Sequence, residues 1–509
     1  MNTSVCLIIP PSPFLLDQRV FMSLGILKVA AVLKHAGANV HVMDLSGVKN
    51  HLDVIADYAI EHPDIHCFGI TATTPQMPSS VEIAGEIRAR NPSAKIILGG
   101  PHITLVNAAV KKERKLGNLL RANTAMQQLE KSFDILVAGD GEDAIFPALR
   151  PEAQGLIDAD DPKSEMFLTD RRLTELPLPA RELVDVSSYH YSVEGVRAVS
   201  LIAQLGCPFL CGFCGGRSSP MLRRIRTRPS ENIIAEMVHL YETYGFKGFM
   251  FYDDELNVNP NMLDLMQLIA KTQRDLGIEW RLRGFIKSQL FTDEQAKAMF
   301  DAGFRWILVG FESGAPTILD AINKRATREE NTRCMEIAHR NGLKVKALMS
   351  IGHPGETRET VMQTKEWLIQ TKPDDFDATI ITCYPGTPYY DEAVPVPDKP
   401  GIWKYTYQKT GAALYQIDSD FTTRAEYYKG DPNGGYISYV YTETLSPQDL
   451  VTLRDEVEQE VRRILGIPFN PSAPSLFYEH SMGQHGTHIP PYILRMSHAQ
   501  KEIKTPLSV

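Results

Sequence analysis

No stretch of this 509-residue chain is apolar for long enough to span a membrane. No basic region precedes the first strand-like run at residues 5–10, so no signal peptide is expected. Cysteine is scarce: seven in the whole chain, too few and too scattered for a disulfide framework. A reducing cytoplasm is the expected compartment. Positive charge is in deficit, with 53 Lys and Arg against 62 Asp and Glu, a net charge of −9. That excludes a global attraction to nucleic acid or to anionic lipid. No G-x-G-x-x-G follows the first strand, which argues against a nicotinamide cofactor. The apolar content of 43% is that of an ordinary globular protein, and the length suggests roughly two to four domains.

What is present is concentrated. Cys207, Cys211 and Cys214 stand in the run Gly206-Cys-Pro-Phe-Leu-Cys-Gly-Phe-Cys-Gly-Gly, at the exit of an apolar strand expected over residues 199–206. The spacing is C-x3-C-x2-C. Three thiolates on one tight loop suit three irons of a [4Fe–4S] cluster and leave the fourth iron open to a small molecule. A structural cluster or zinc site wants a fourth protein ligand, and the next cysteine is Cys334. The rival reading is a zinc knuckle completed by His239.

Residues 1–150 alternate strand-like runs (5–9, 40–43, 65–70, 95–98, 135–137) with helical ones (23–35, 52–61, 80–91). That pattern predicts a doubly wound, Rossmann-like parallel sheet whose ligand sits beyond the carboxyl ends of its strands. Hydroxyls and glycines fall at those ends: Thr71, Thr73 and Thr74 after the third strand, Gly99-Gly100-Pro101-His102 after the fourth, Gly139-Asp-Gly141-Glu142 after the fifth. Glycine there lets a backbone approach a flat ligand closely. A basic segment, residues 108–133, reads as an inserted helix with a solvated face. Residues 151–198 carry Leu176-Pro-Leu-Pro-Ala-Arg-Glu-Leu, an extended linker. Six further strand–helix units over residues 199–392 predict an open, partial (β/α)6 barrel, with its chemistry at the strand ends. Asp253-Asp254-Glu255, Glu312-Ser313-Gly314 and the turn from Gly352 to Thr357 lie there.

The cysteine run, with Phe213 directly before its last cysteine, resembles the radical S-adenosylmethionine (SAM) superfamily. In that family the open iron binds the amino and carboxylate groups of SAM. One electron from the cluster then breaks a carbon–sulfur bond and yields a 5′-deoxyadenosyl radical. The resemblance places SAM beside Phe213, Asp253, Asp254, Glu255, Glu312, Ser313, Lys324 and Gly352. The acids would meet its ammonium, Lys324 its carboxylate, Glu312 and Ser313 the ribose and methionine parts, and the Gly352 turn the adenine. Arg223, Arg224, Arg226 and Arg228 resemble a family pattern that pairs with the following helix, which carries Glu236.

Residues 1–150 resemble the cobalamin-binding domain found ahead of many radical SAM domains. The resemblance rests on Thr71, Thr73, Thr74, Gly99, Gly100, Pro101, His102, Gly139, Gly141 and Glu142. The D-x-H-x-x-G motif is absent, since Leu45 and Ser46 follow Asp44. No histidine below cobalt is therefore expected, and His102 is read as a wall or hydrogen-bonding residue; the alternative is that it ligates. A response-regulator-like domain with no ligand is the plainer reading of the same pattern.

Together the resemblances imply a cobalamin-dependent radical SAM enzyme akin to the class B methylases and the anaerobic Mg-protoporphyrin ester cyclase-like group. Its cofactors would be a [4Fe–4S] cluster, SAM and cobalamin. The implied reaction methylates an unactivated carbon of a small organic substrate, using the deoxyadenosyl radical and methylcobalamin, with an electron donor such as flavodoxin or ferredoxin. The rivals are a non-methylating cyclase or rearrangement enzyme, and a non-catalytic cobalamin or metal sensor. A transfer-RNA methylthiotransferase would need three further N-terminal cysteines, and only Cys6 and Cys67 are present.

Residues 393–509 are expected to form a smaller, α-containing C-terminal region. Residues 384–441 hold 11 of the 19 tyrosines, enough flat amphipathic surface to wall a bulky substrate or to form a subdomain core. Cys383 is read as packing. Ser446-Pro-Gln-Asp predicts a capped helix ending at Leu465. Three tail histidines, His480, His485 and His488, suggest a metal less well than a loose terminus.

Overall fold

Short runs of aliphatic residues form the first sheet: β1 (Ser4–Ile9), β2 (Asn39–Asp44), β3 (Cys67–Thr71), β4 (Lys95–Gly99), β5 (Ile135–Gly139) and β6 (Gly155–Ala159). Their order is β2-β1-β3-β4-β5-β6 and every pairing is parallel. Helices cover both faces, so the inner strands are apolar on both sides. The computed structural model describes residues 3–12, 18–117, 120–428, 430 and 435–467. The three tail histidines lie outside the described residues.

β6 comes from the stretch expected as linker. Its sequence, Gly-Leu-Ile-Asp-Ala, is half exposed at the sheet edge and shows no apolar alternation. The basic segment is no insert: helix Pro101–Leu116 runs into it, and helix Arg121–Ser132 completes it.

After the proline run come β7 (Ser192–Val193) and β8 (Val196–Leu201), a two-stranded pair β9 (Gln204–Leu205) and β10 (Arg226–Thr227), then β11 (Gly248–Phe251), β12 (Arg281–Phe285), β13 (Phe304–Glu312), β14 (Lys344–Ile351) and β15 (Asp375–Ile380). The large sheet runs β15-β14-β13-β12-β11-β8-β7. Six strands are parallel, and β7 joins antiparallel at one edge. β15 forms the other edge, so the barrel is open. The cysteine loop follows β9 rather than one long strand, because the chain turns between Leu201 and Gln204.

The C-terminal region contains a sheet as well as the expected helix. β16 (Val394–Pro395), β17 (Ile402–Thr406), β18 (Ala413–Ile417) and β19 (Val440–Thr442) pair antiparallel. Helix Pro447–Leu465, capped by a Ser446–Asp449 box, lies on β15. The tyrosine-rich segment reaches back to the first domain, where Tyr390, Phe421 and Tyr427 join its core. Arg121 of that domain is buried against the Tyr390 ring at 3.6 Å and the Trp403 ring at 4.5 Å.

Candidate active site

The loop from Cys207 to Cys214 is held at four points. Cys207 N–H donates to Leu222 O at 3.0 Å and Gly212 N–H to Ile322 O at 2.7 Å. Asn323 Nδ2 donates to Leu210 O at 2.9 Å, and Arg223 Nη2 to Pro208 O at 3.0 Å. Gly206, with φ +88°, must be glycine: a Cβ there would stand 2.2 Å from Arg224 O. Cys211 is buried, Cys207 half-buried and Cys214 exposed. The protein packed around them pushes the Cys207 thiol up to about 12 and, although Cys214 keeps solvent-accessible surface, the Cys214 thiol up to about 11, with Asp254 adding to both. Both are protonated without metal, so metal binding must displace their protons.

Among the described residues no three His, Cys, Asp or Glu side chains are gathered around a single metal ion. His239, the fourth ligand of the zinc reading, sits by Thr243 Oγ1 at 3.2 Å. A cluster loop does not need such a grouping, because each thiolate takes a different iron.

The acidic run beyond β11 divides. Asp253 is 1% exposed and accepts the N–H groups of Ala203 and Gln204, so it braces the entry to the cysteine loop. Asp254 is open to solvent but closely surrounded by protein, and burial pushes its carboxyl up. Burial pushes Glu255 up to about 7, against the pull of Lys324 and Lys287.

Glu312 ends β13 at a bulge, with φ +67°. Its Oε1 accepts from Lys324 Nζ at 3.0 Å, and its Oε2 from Ser350 Oγ at 2.9 Å. Gly310 leaves the room: a Cβ there would stand 2.6 Å from Glu312 Oε1 and 3.1 Å from Lys324 Nζ. Lys324 is buried, and Glu312, Cys211 and Glu255 hold its ammonium well above the usual lysine range despite burial.

Ser313 is buried. Its Oγ lies 3.0 Å from Thr364 Oγ1 and takes the Ala315 N–H at 3.1 Å. Gly352 packs on Val440, and its N–H donates to Glu356. Phe213 lies 5.4 Å from the His353 ring. Lys287 was missed in the sequence. It follows β12, is 1% exposed, sits 4.4 Å over the Phe209 ring, and burial and Lys324 push its ammonium down. Only its place two residues beyond a barrel strand marks it.

At the carboxyl ends of the first sheet lies a cavity of about 330 Å³. Thr71, Thr73, Gly99, Gly100, Pro101, Gly139, Gly141 and Glu142 line it, and most of its remaining wall is hydrocarbon. A Cβ at Gly99 or Gly25 would meet nothing within 4 Å, which leaves a cradle for a ligand. Gly100 and Gly139 have φ of +97° and +92°, and their turns touch neighbouring backbone. Burial pushes Glu142 up to about 7, with Asp140 adding to it. Leu205, Met221 and Leu222 of the barrel domain close the cavity.

Thr74 and His102 turn away from it. His102 is 1% exposed, its Nδ1 lies 3.1 Å from Thr74 Oγ1, and its ring abuts Phe421. Burial pushes it down to about 3. The Asp44 carboxylate is taken up by Arg19 at 3.1 Å and the Tyr189 hydroxyl at 2.6 Å.

The two domains are bolted together around this cavity. Arg226 Nη1 donates to Asp140 at 2.5 Å, and Asp160 accepts from Ser219 Oγ and Met221 N–H, each at 2.8 Å. Glu236 takes Arg181 of the linker and Arg228, each at 2.7 Å. Of the four crowded arginines, Arg228 pairs with the following helix as expected, whereas Arg226 reaches into the first domain.

Residues 19–129 match the B12 binding domain, and residues 201–368 match the radical SAM superfamily. The chain therefore carries a B12 binding domain followed by a radical SAM domain, an enzyme pairing whose cofactors are a [4Fe–4S] cluster, SAM and cobalamin. It is 29% identical to an uncharacterised methyltransferase of Pyrococcus horikoshii, over 65% of this chain and 70% of that one. It is 24% identical to the anaerobic magnesium-protoporphyrin IX monomethyl ester cyclase of Cereibacter sphaeroides, over 72% of this chain and 59% of that one. Its fold is similar to that of TsrM, a radical SAM methyltransferase of Kitasatospora setae solved with tryptophan and a SAM analogue, at a TM-score of 0.62 and 17% identity, covering 97% of this chain and 95% of that one. Among the described residues no helix is long and apolar enough to cross a membrane.

Proposed function

We propose that this protein is a cobalamin-dependent radical SAM methyltransferase acting on an unactivated carbon of a small organic substrate. One observation carries the reading: the corrin-side cavity and the cysteine loop share a wall. Leu222 lines the cavity, and its carbonyl accepts the Cys207 N–H. Two cofactors that must reach one substrate need such a junction.

When bound, the cluster supplies an electron to SAM and the corrin carries the methyl group. The residues of this chain hold and orient. Cys207, Cys211 and Cys214 take three irons. Asp254 and Glu255 receive the SAM ammonium, and Lys324, held by Glu312, receives its carboxylate through charge-assisted hydrogen bonds. Thr71 offers a hydroxyl to the corrin, and Gly25 and Gly99, where a Cβ would meet nothing within 4 Å, allow its close approach. The hydrocarbon wall of the cavity keeps water out. A flavodoxin or ferredoxin would deliver the electron, in the cytoplasm.

The test is anaerobic reconstitution followed by turnover. The protein should bind about four irons and one cobalamin. It should release 5′-deoxyadenosine and S-adenosylhomocysteine in near-equal amounts with substrate. Similarity to the cyclase favours a second reading, in which product forms with deoxyadenosine alone. That outcome would replace methylation with cyclisation or rearrangement.

A further inference from the structure

The polar contacts beyond β13 and β14 do not end at the Glu312–Lys324 pair. Ser350 Oγ, which donates to Glu312, lies 2.7 Å from His353 Nε2, and His353 Nδ1 lies 3.4 Å from the Tyr389 hydroxyl. Ser350 has one proton and gives it to Glu312. His353 Nε2 must then carry the imidazole proton and donate to Ser350, which leaves Nδ1 to accept from Tyr389. Every donor in the row points toward Glu312. His353 is fully buried and Tyr389 is 1% exposed. Burial pushes His353 down to about 4, so near neutrality it keeps the one donor and one acceptor that the row requires.

Tyr389 does not belong to the barrel. It sits in helix Pro388–Asp391 of the tyrosine-rich segment and packs on Tyr405 of β17, with ring centroids 4.9 Å apart. Its ring also covers the cysteine loop: a Cβ at Gly212 would stand 3.0 Å from Tyr389 Cε1. One end of the row therefore touches the loop at Gly212, and the other holds the ion pair assigned to SAM.

We propose that His353 and Tyr389 are positioning residues for SAM. They fix the Ser350 hydroxyl, and through it the Glu312 carboxylate and the Lys324 ammonium. They also make the SAM site sensitive to whether the tyrosine-rich segment is seated on the cysteine loop. The proposal rests on the SAM site assigned above and is independent of methyl transfer.

Three variants of the reconstituted full-length protein test it. His353→Leu removes both ring contacts, His353→Gln restores a donor near the Nε2 position, and Tyr389→Phe removes only the hydroxyl. The Kd for SAM, measured by anaerobic equilibrium dialysis, should rise about tenfold in His353→Leu and about threefold in Tyr389→Phe, and return near wild type in His353→Gln. Iron content should hold in Tyr389→Phe and His353→Gln. The KM for SAM should rise in Tyr389→Phe while kcat at saturating SAM stays put, and the change that SAM causes in the reduced cluster's electron paramagnetic resonance spectrum should be altered. An unchanged Kd in Tyr389→Phe and His353→Leu overturns the proposal, as does an equal loss of iron and SAM binding in the Leu and Gln variants. Should His353→Leu not fold, Tyr389→Phe decides alone. If SAM binding responds as stated but no methylated product ever forms, the methyltransferase reading falls and this one stands.

Discussion

Asp253 and Asp254 are neighbours in sequence with different parts, and backbone geometry separates them. A strand exit sends successive side chains to opposite sides. Asp253 turns inward onto two backbone N–H groups, and Asp254 faces the barrel mouth. Burial pushes the Asp253 carboxyl up to about 7, with Asp254 adding to it and the two N–H bonds opposing. In the unfolded chain that proton leaves near pH ~3.9. Between about pH 4 and 7 the folded state thus binds more protons than the unfolded, and its stability falls as pH rises through that window. Asp253→Asn keeps an acceptor for both N–H groups and removes the titration. Thermal unfolding of the cofactor-free protein should show a shallower decline from pH 4 to 7 in this variant, and a gain of up to about 4 kcal/mol at pH 8. A variant less stable than wild type at every pH would mean that the buried carboxylate is ionised and offset by its partners.

At the scale of elements, the open edge of the barrel is sealed by ions as well as by the buried Leu450, Leu453, Val457 and Val461 of the last helix. Arg462 of helix Pro447–Leu465 reaches Asp375 at 3.2 Å and Glu458 at 2.6 Å, and Lys346 of β14 reaches Asp375 at 2.8 Å and Asp377 at 3.3 Å. Arg462, Lys346, Asp375 and Glu458 are each 2% exposed or less. Removing one partner of such a set leaves buried charge uncompensated, at about 3–5 kcal/mol. Arg462→Ala should therefore lower denaturant-unfolding stability by that amount, whereas Arg463→Ala on the exposed side should stay within about 0.5 kcal/mol. Equal losses in both would make the helix's propensity, not the ion set, the stabilising feature. This helix was legible because Ser446, Pro447 and Asp449 write its start in local chemistry. The parallel strands were legible from aliphatic runs, within a few residues. β6 and the β16–β19 sheet were not. Strands of two to five residues carry too little periodicity: β6 is placed by its pairing with β5, and β16–β19 by pairing with one another. The site followed the same rule. The cysteine spacing and the glycine turns are local signals, and they marked the loop and the cavity. The inward turn of Ser313, the Arg226–Asp140 bolt and Lys287 depend on tertiary contacts that no spacing encodes.

For the whole molecule, the arrangement of domains decides what stands below the corrin. The turns Thr71–Thr74 and Gly99–His102 face two ways: Thr71, Thr73, Gly99, Gly100 and Pro101 line the cavity, while Thr74 and His102 bond to each other beneath Phe421 of the tyrosine-rich segment. That segment fixes His102 by covering it. Asp44, where an axial-histidine motif would begin, is spent on Arg19 and Tyr189 and helps dock the linker. Neither position offers an imidazole to cobalt. The Co(II) form of the reconstituted protein should therefore show no nitrogen hyperfine splitting that depends on His102. His102→Ala should lower the melting temperature, since it leaves Thr74 and the Phe421 contact unfilled at a cost of about 2 kcal/mol, and should leave the cobalt spectrum unchanged. Splitting that is present in wild type and vanishes in His102→Ala would place the ring on the metal, and would require Thr74 and Phe421 to release it when cobalamin binds.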